Sequence, residues 1–256
     1  MKKLKRPLLI GEIGINHNGN IQLAKKIIDI AKKHNFDCVK FQKRDNSICI
    51  PEQQKNIVRE TPWGLIKYID YKNKIEFSVA DYQKINSYCK KVKIKWFTSC
   101  WDLNSQKLMK RFKFPYNKVA SAMITNIKLL ELIASEKKKC PFVLLHCVST
   151  YPCPDKNLNL NVITTLKKKF KCEVGYSGHE STLSPTIFAW LLGATVIERH
   201  ITLDRSMWGS DQSASLSEDG MKYLSKVLSK GSSLGTGIKK FTTPEKKLSK
   251  KFHYWN

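Results

Sequence analysis

The sequence predicts an α/β domain built on a parallel sheet, and three observations carry that prediction. Short apolar runs alternate with amphipathic helical stretches along almost the whole chain. No internal repeat or flexible linker interrupts the alternation. Ionisable residues fall where the apolar runs end, and the carboxyl ends of strands are where parallel α/β folds gather their chemistry. At 256 residues the chain is long enough to bury one large core.

Seven runs read as strands: 8–15, 38–42, 94–99, 118–122, 142–148, 173–177 and 196–202. Their ends carry Glu12 with Asn16-His17-Asn18, Lys40 and Gln42, Thr98-Ser99, Ser121, His146 and Ser149, Ser177 and His179, then Glu198 and His200. Helical periodicity fills the intervals at 21–33, 80–91, 103–111, 127–138, 162–170, 185–192 and 220–230. Asn20 reads as the cap of the first of these, and Pro185 suits the first turn of the sixth. The stretch 44–78 follows neither period; it reads equally as a wall over the strand ends or as an ordinary surface excursion. Residues 1–237 form the domain, and 238–256 a lysine-rich tail.

The formal charge of +25 invites a nucleic-acid reading. Its distribution argues against one, since the lysines lie in short runs at helix ends and no aromatic-and-basic recognition motif accompanies them. What remains is a general attraction for anionic substrates. No apolar run is long enough to span a bilayer, and the basic opening Met1-Lys2-Lys3 precedes only three apolar residues, too few for a secretion signal. The eight cysteines include no C-x-x-C pair, and several sit inside apolar runs as small hydrophobes. Those features point to a cytoplasmic protein without a membrane partner.

The sharpest signal is a pair of motifs about twenty residues apart, Gly175-Tyr-Ser-Gly-His179 and Val196-Ile-Glu-Arg-His200. Histidines ending neighbouring parallel strands can share one divalent ion, because neutral imidazole is a good ligand for first-row metals. The plain alternative is that each ring bonds a loop.

With Gly11-Glu-Ile-Gly-Ile-Asn-His-Asn-Gly19, Val39-Lys-Phe-Gln42, Lys118-Val-Ala-Ser121, Leu145-His-Cys-Val-Ser-Thr-Tyr-Pro152 and Ile197-Glu-Arg-His-Ile-Thr202, these motifs resemble the sialic acid synthase family, in order from about Leu8 to Gly237. The resemblance implies a TIM-type (β/α) barrel that condenses phosphoenolpyruvate with an N-acylated amino sugar, giving a nine-carbon 2-keto acid and phosphate. It implies a divalent metal (Mn, Mg or similar) on His179 and His200, and a phosphoenolpyruvate cradle of Lys40 and Lys118 with Ser99, Ser121 and Ser177. Glu12 would orient or deprotonate the attacking water, Tyr151 and Asp211 would face the sugar, and Glu198, Gln42 and Ser149 would complete the site. A homodimer is the implied assembly.

Three departures accompany the resemblance. Met123 stands where sialate-forming members carry an acidic residue and Ser149 where they carry an asparagine, which leaves the acceptor sugar open. The antifreeze-like domain of many members has no counterpart in this sequence. The segments 127–138 and 140–149 abut where the family places a further strand and helix, so about 25 to 30 residues of a barrel of about 250 are missing and seven units are expected. A catalytically impaired relative acting in binding or assembly is the main alternative, and another metal-dependent barrel lyase or aldolase a third.

Overall fold

A computed structural model describes residues 5–136, 141–234 and 238–252. Its strands are β1 (Leu8–Gly14), β2 (Cys38–Lys43), β3 (Val58–Arg59), β4 (Ile66–Lys67), β5 (Lys95–Cys100), β6 (Val143–Cys147), β7 (Glu173–Gly178) and β8 (Val196–His200). Six of them form one parallel sheet in the order β5-β2-β1-β8-β7-β6, while β3 and β4 make a separate antiparallel hairpin.

Helices cover the sheet where periodicity placed them, with ends shifted by up to three residues. Ile21–Lys33 starts at Asn20, whose side-chain oxygen accepts from the backbone of Gln22 and Leu23. Its buried face of Ala24, Ile27, Ile28 and Ala31 repeats at helical spacing and packs on Leu9 and Val39 in the main core. Ser78 and Asp81 cap Val79–Val92 reciprocally. The last residues of the 127–138 helix and Cys140 lie outside the described residues. In the tail, Thr243–Phe252 is helical.

The seventh strand is corrected by the structure. The 118–122 run contributes one bridge, Ser99 to Lys118, and then turns into a 3-10 segment at Ser121–Met123. Among the described residues it makes no ladder with β6, so β5 and β6 are the sheet's edges. Between them the two sides meet through Ser121 and Ser149, whose hydroxyls lie 2.9 Å apart. β6 is accordingly half-buried or exposed along its length, whereas β1 and β8 are buried. An arc of six strands and a seam replaces the expected seven units.

The strand period places the site. Ile10, Cys38, Phe97 and Val196 pack as one apolar layer inside the arc. Two residues further along the same strands, on the same face, stand Glu12, Lys40, Ser99 and Glu198. The ladder pairs Glu12 with Lys40 on one side and His200 on the other, Gln42 with Ser99, and Ser177 with Glu198. The polar layer is thus the next rung of the barrel interior.

The 44–78 stretch is not irregular throughout. It contains the short helices Asn46–Cys49 and Glu52–Lys55, the β3-β4 hairpin and the helix Tyr68–Ile75. Its end lies on the strand ends: Phe77 stacks on His17 with ring centroids 3.8 Å apart, and a Cβ at Gly19 would stand 2.2 Å from the carbonyl oxygen of Lys74. Gly19 has φ +71°, so both space and backbone require glycine there.

Candidate active site

Four buried or mostly buried charges form the floor. Lys40 Nζ lies 2.9 Å from Glu12 Oε2 and 3.6 Å from Glu198 Oε1, and Lys118 Nζ lies 3.1 Å from the same Glu198 oxygen. Burial alone would lower the pKa of Lys40, but the carboxylates of Glu12 and Glu198 outweigh it and hold the ammonium above its ordinary value. Burial likewise opposes ionisation of Glu198, and Lys118 and Lys40 overcome it, holding the carboxyl well below the usual range. The two lysines differ in access: the Lys40 side chain is 3% exposed and that of Lys118 17%, so Lys118 is the one that can turn to a ligand.

Hydroxyls and an amide fix the carboxylates. Ser177 donates to Glu198 Oε1 at 3.2 Å, Lys40 donates to Ser99 Oγ at 3.3 Å, and Gln42 Nε2 donates to Glu12 Oε1 at 2.8 Å. Arg44 donates in turn to Gln42 Oε1. Glu198 Oε2 is buried with no hydrogen-bond partner among the described residues. Gly14, at φ +54°, keeps this space open: a Cβ there would lie 3.2 Å from Glu12 Oε1 and 3.4 Å from Asp211 Oδ2.

Beside the floor stand the two imidazoles, ring centroids 5.3 Å apart. His179 Nδ1 lies 2.7 Å from the carbonyl oxygen of Val148, which can only accept, so the proton sits on Nδ1 and Nε2 presents a lone pair. Tyr151 hydroxyl donates to that Nε2 at 3.2 Å. Burial first, and the neighbouring His200 second, lower His179 to about 4, keeping it neutral as a ligand must be. Burial and the nearby Asp211 carboxylate hold the Tyr151 phenol above its ordinary range. Among the described residues His200 Nδ1 is buried with no hydrogen-bond partner, and Asp211 Oδ2 is 3.6 Å away. Among the described residues no three His, Cys, Asp or Glu side chains are gathered as a metal cluster. The donor set on offer is two imidazoles, that of His179 held neutral.

Glu12, Lys40, Gln42, Ser99, Lys118, Ser177, Glu198, His179, His200, Tyr151 and Asp211 therefore converge at the carboxyl ends of the strands. Ser121 and Ser149 do not share that depth: both are exposed and bond each other across the seam. His17 belongs to the core rather than the site, and burial lowers it to about 3. His146 bonds the Leu158 carbonyl at 2.6 Å. Sequence reasoning missed Arg199 and Glu180, both fully buried and paired at 2.8 Å behind the histidines. Their signal was a charged residue chain-adjacent to each histidine.

Comparison with known proteins finds relatives over most of the chain. The chain is 32% identical over 274 aligned positions to the N,N'-diacetyllegionaminic acid synthase of Campylobacter jejuni, covering 95% of this chain and 82% of that one. It is 33% identical to the human N-acetylneuraminate-9-phosphate synthase, covering 81% of this chain and 65% of that one, so it spans just under two thirds of that relative's length. The N-acetylneuraminic acid synthetase of Leptospira borgpetersenii superposes with a TM-score of 0.82 at 27% identity, covering 96% of this chain and 90% of that one. The Campylobacter alignment is longer than the 256-residue chain itself, so that relative carries residues this one lacks. The NeuB family profile matches in two pieces, 27–141 and 133–239, which meet at the helix leading into β6. With both pieces matched, the chain belongs to the NeuB family.

Proposed function

We propose that this protein condenses phosphoenolpyruvate with an N-acylated amino sugar in its aldehyde form, giving a 2-keto nonulosonic acid and inorganic phosphate. One observation carries the reading most: the Glu12–Lys40–Glu198–Lys118 cluster is a charge-balanced floor directly beside two imidazoles. Relatives named as legionaminic, pseudaminic and N-acetylneuraminate-9-phosphate synthases point the same way.

His179 and His200 would hold a divalent ion, with the orphaned Nδ1 of His200 and the lone pair of His179 as its donors. Such an ion supplies Lewis acidity toward the acceptor's aldehyde oxygen. Lys118 leaves Glu198 in part to bind the anionic groups of phosphoenolpyruvate, and Ser177 and Ser99 add hydroxyl donors. Lys40 stays paired with Glu12. That carboxylate accepts a proton from the water that adds to C2 of the former enol, after which the C2–O bond to phosphate breaks. Gln42 holds Glu12 in place for this step. The free, buried thiols of Cys38, Cys89 and Cys100, pushed up to about 12 chiefly by burial, are inert bystanders in a reducing cytosol.

The test is phosphate release from phosphoenolpyruvate with Mn²⁺ and a panel of N-acylated hexosamines, plain and phosphorylated. Acceptor-dependent release is expected; none with any acceptor overturns the reading. The seam supports a second reading, a non-catalytic relative, because the exposed Ser121–Ser149 contact replaces a closed wall. Phosphoenolpyruvate binding without turnover would favour it.

A further inference from the structure

The 44–78 insert carries cations that no carboxylate neutralises. Arg44, Arg59 and Lys72 form no ion pair among the described residues. Arg59 and Lys72 share one ring: Cζ of the first lies 4.0 Å and Nζ of the second 5.4 Å from the centroid of Tyr68. Lys72 also lies 5.7 Å from the Tyr71 centroid, and the charge of Asp211 acts on it. Arg44 stands 3.9 Å over Trp101 and reaches Gln42, which holds Glu12. The three cations thus run from the insert to the edge of the active site.

Aromatic faces attract each cation without discharging it. Burial, and next the repulsion of Arg44, pull Lys72 down to about 8, against the attraction of Asp211 and Glu76. Neither carboxylate is free to pair with it: Glu76 is held by Lys43 at 2.8 Å, and Asp211 faces His200. A half-buried ammonium beside two guanidinium groups is unfavourable by itself and becomes favourable when a polyanion completes it. Two guanidinium forks and an ammonium suit the several oxygens of a phosphate better than a lone carboxylate.

We propose that Arg44, Arg59 and Lys72 form a subsite for a phosphate monoester on the acceptor sugar, so that this chain takes a phosphorylated amino sugar. The inference rests on the proposed function, with the acceptor entering between the insert and the two histidines.

Calorimetric titration of the full chain with a 2-acetamido-2-deoxyhexose and with its 6-phosphate tests it. The phosphate should bind at least tenfold more tightly, and the preference should shrink to threefold or less in Lys72→Met and in Arg59→Gln. Arg59 is exposed, so its variant guards against a folding defect at Lys72. Lys226→Met, on an exposed site of the Glu218–Ser229 helix, controls for the overall positive field and should keep the preference. Equal affinities in the parent, a preference retained by both insert variants, or an equal loss in Lys226→Met overturns the proposal. Phosphate release with the plain sugar and no phosphate preference would sink the subsite alone. Absence of release with every acceptor would sink the parent reading.

Discussion

Arg199 and Glu180, the chain neighbours of His200 and His179, form an ion pair with Nη1 and Oε1 2.8 Å apart and no solvent exposure on either side. Thr186 donates to the same carboxylate at 2.7 Å and Tyr176 to its other oxygen at 2.8 Å, while Arg199 also donates to the carbonyl of Thr182 at 3.0 Å. A Cβ at Gly178 would stand 2.5 Å from Glu180 Oε2, so the network is packed against β7 itself. The pair ties the end of β7 to the end of β8, and with them the two imidazoles. Arg199→Met should cost about 3–5 kcal/mol, because it leaves Glu180 charged and buried. Arg199→Lys keeps the charge but loses the fork, and should weaken Mn²⁺ binding about tenfold through the displaced histidines. His179→Ala and His200→Ala should each abolish Mn²⁺ retention without lowering the metal-free melting temperature to the same degree as Arg199→Met. Wild-type Mn²⁺ affinity in Arg199→Lys, His179→Ala and His200→Ala would refute the shared site.

The two floor lysines are predicted to fail differently. Lys40→Met strands Glu12 and Glu198, both buried, and should lower the denaturation midpoint sharply. Lys118→Met removes the more accessible ammonium and should leave the fold nearer wild type while weakening phosphoenolpyruvate at least tenfold, about 1.4 kcal/mol. Denaturant melts and calorimetry separate the two. Equal destabilisation with unchanged phosphoenolpyruvate affinity would place both lysines in a purely structural role.

The site was legible in the sequence because strand periodicity and chemistry coincide: Glu12, Lys40, Ser99 and Glu198 each sit two residues beyond an apolar interior residue of the same strand. The 118–122 run misled because its pattern is strand-like, but a strand needs neighbours to pair with, and among the described residues it finds none beyond Lys118. Four-residue helices such as Asn46–Cys49 are shorter than any periodicity can reveal. The tail helix was discoverable. Thr242 and Glu245 cap it reciprocally, with Thr242 N–H to Glu245 Oε2 at 2.7 Å, and the T-x-x-E spacing with proline in the first turn marks that cap. The Arg199–Glu180 pair could not be anticipated as a pair, since adjacency to two histidines says nothing of which charges meet across the sheet.

Acid should destabilise the protein below about pH 6.5. Burial keeps His17 neutral down to about 3 and His179 to about 4, against an ordinary value of 6.5. Both are depressed bases, so the unfolded chain takes up protons first; their stabilising effect is complete above 6.5 and drains away as pH falls toward 4 and 3. Each should contribute a loss of about 2 kcal/mol between pH 7 and 5. His17→Phe, which keeps a ring against Phe77, should flatten that part of the stability profile. An unchanged slope between pH 7 and 5 would show that other groups govern it.

The seam gives the last prediction. Phe142 and Val143, at the start of β6, and Ile124 and Ile127, before it, are exposed, and the family profile breaks at this place. A barrel closes only when strand number, tilt and stagger agree, and six strands plus one bridge leave two edges unpaired beside the active site. Placing a βα unit from a longer relative between Lys139 and Cys140 should pair those edges, bury the exposed apolar residues, and raise both the melting temperature and phosphate release. A chain that unfolds on insertion, while the native protein turns over at the relative's rate, would mean that the seam is a finished structure. In that case Ser121 and Ser149 would be its closure, and replacing both with alanine should lower the melting temperature instead.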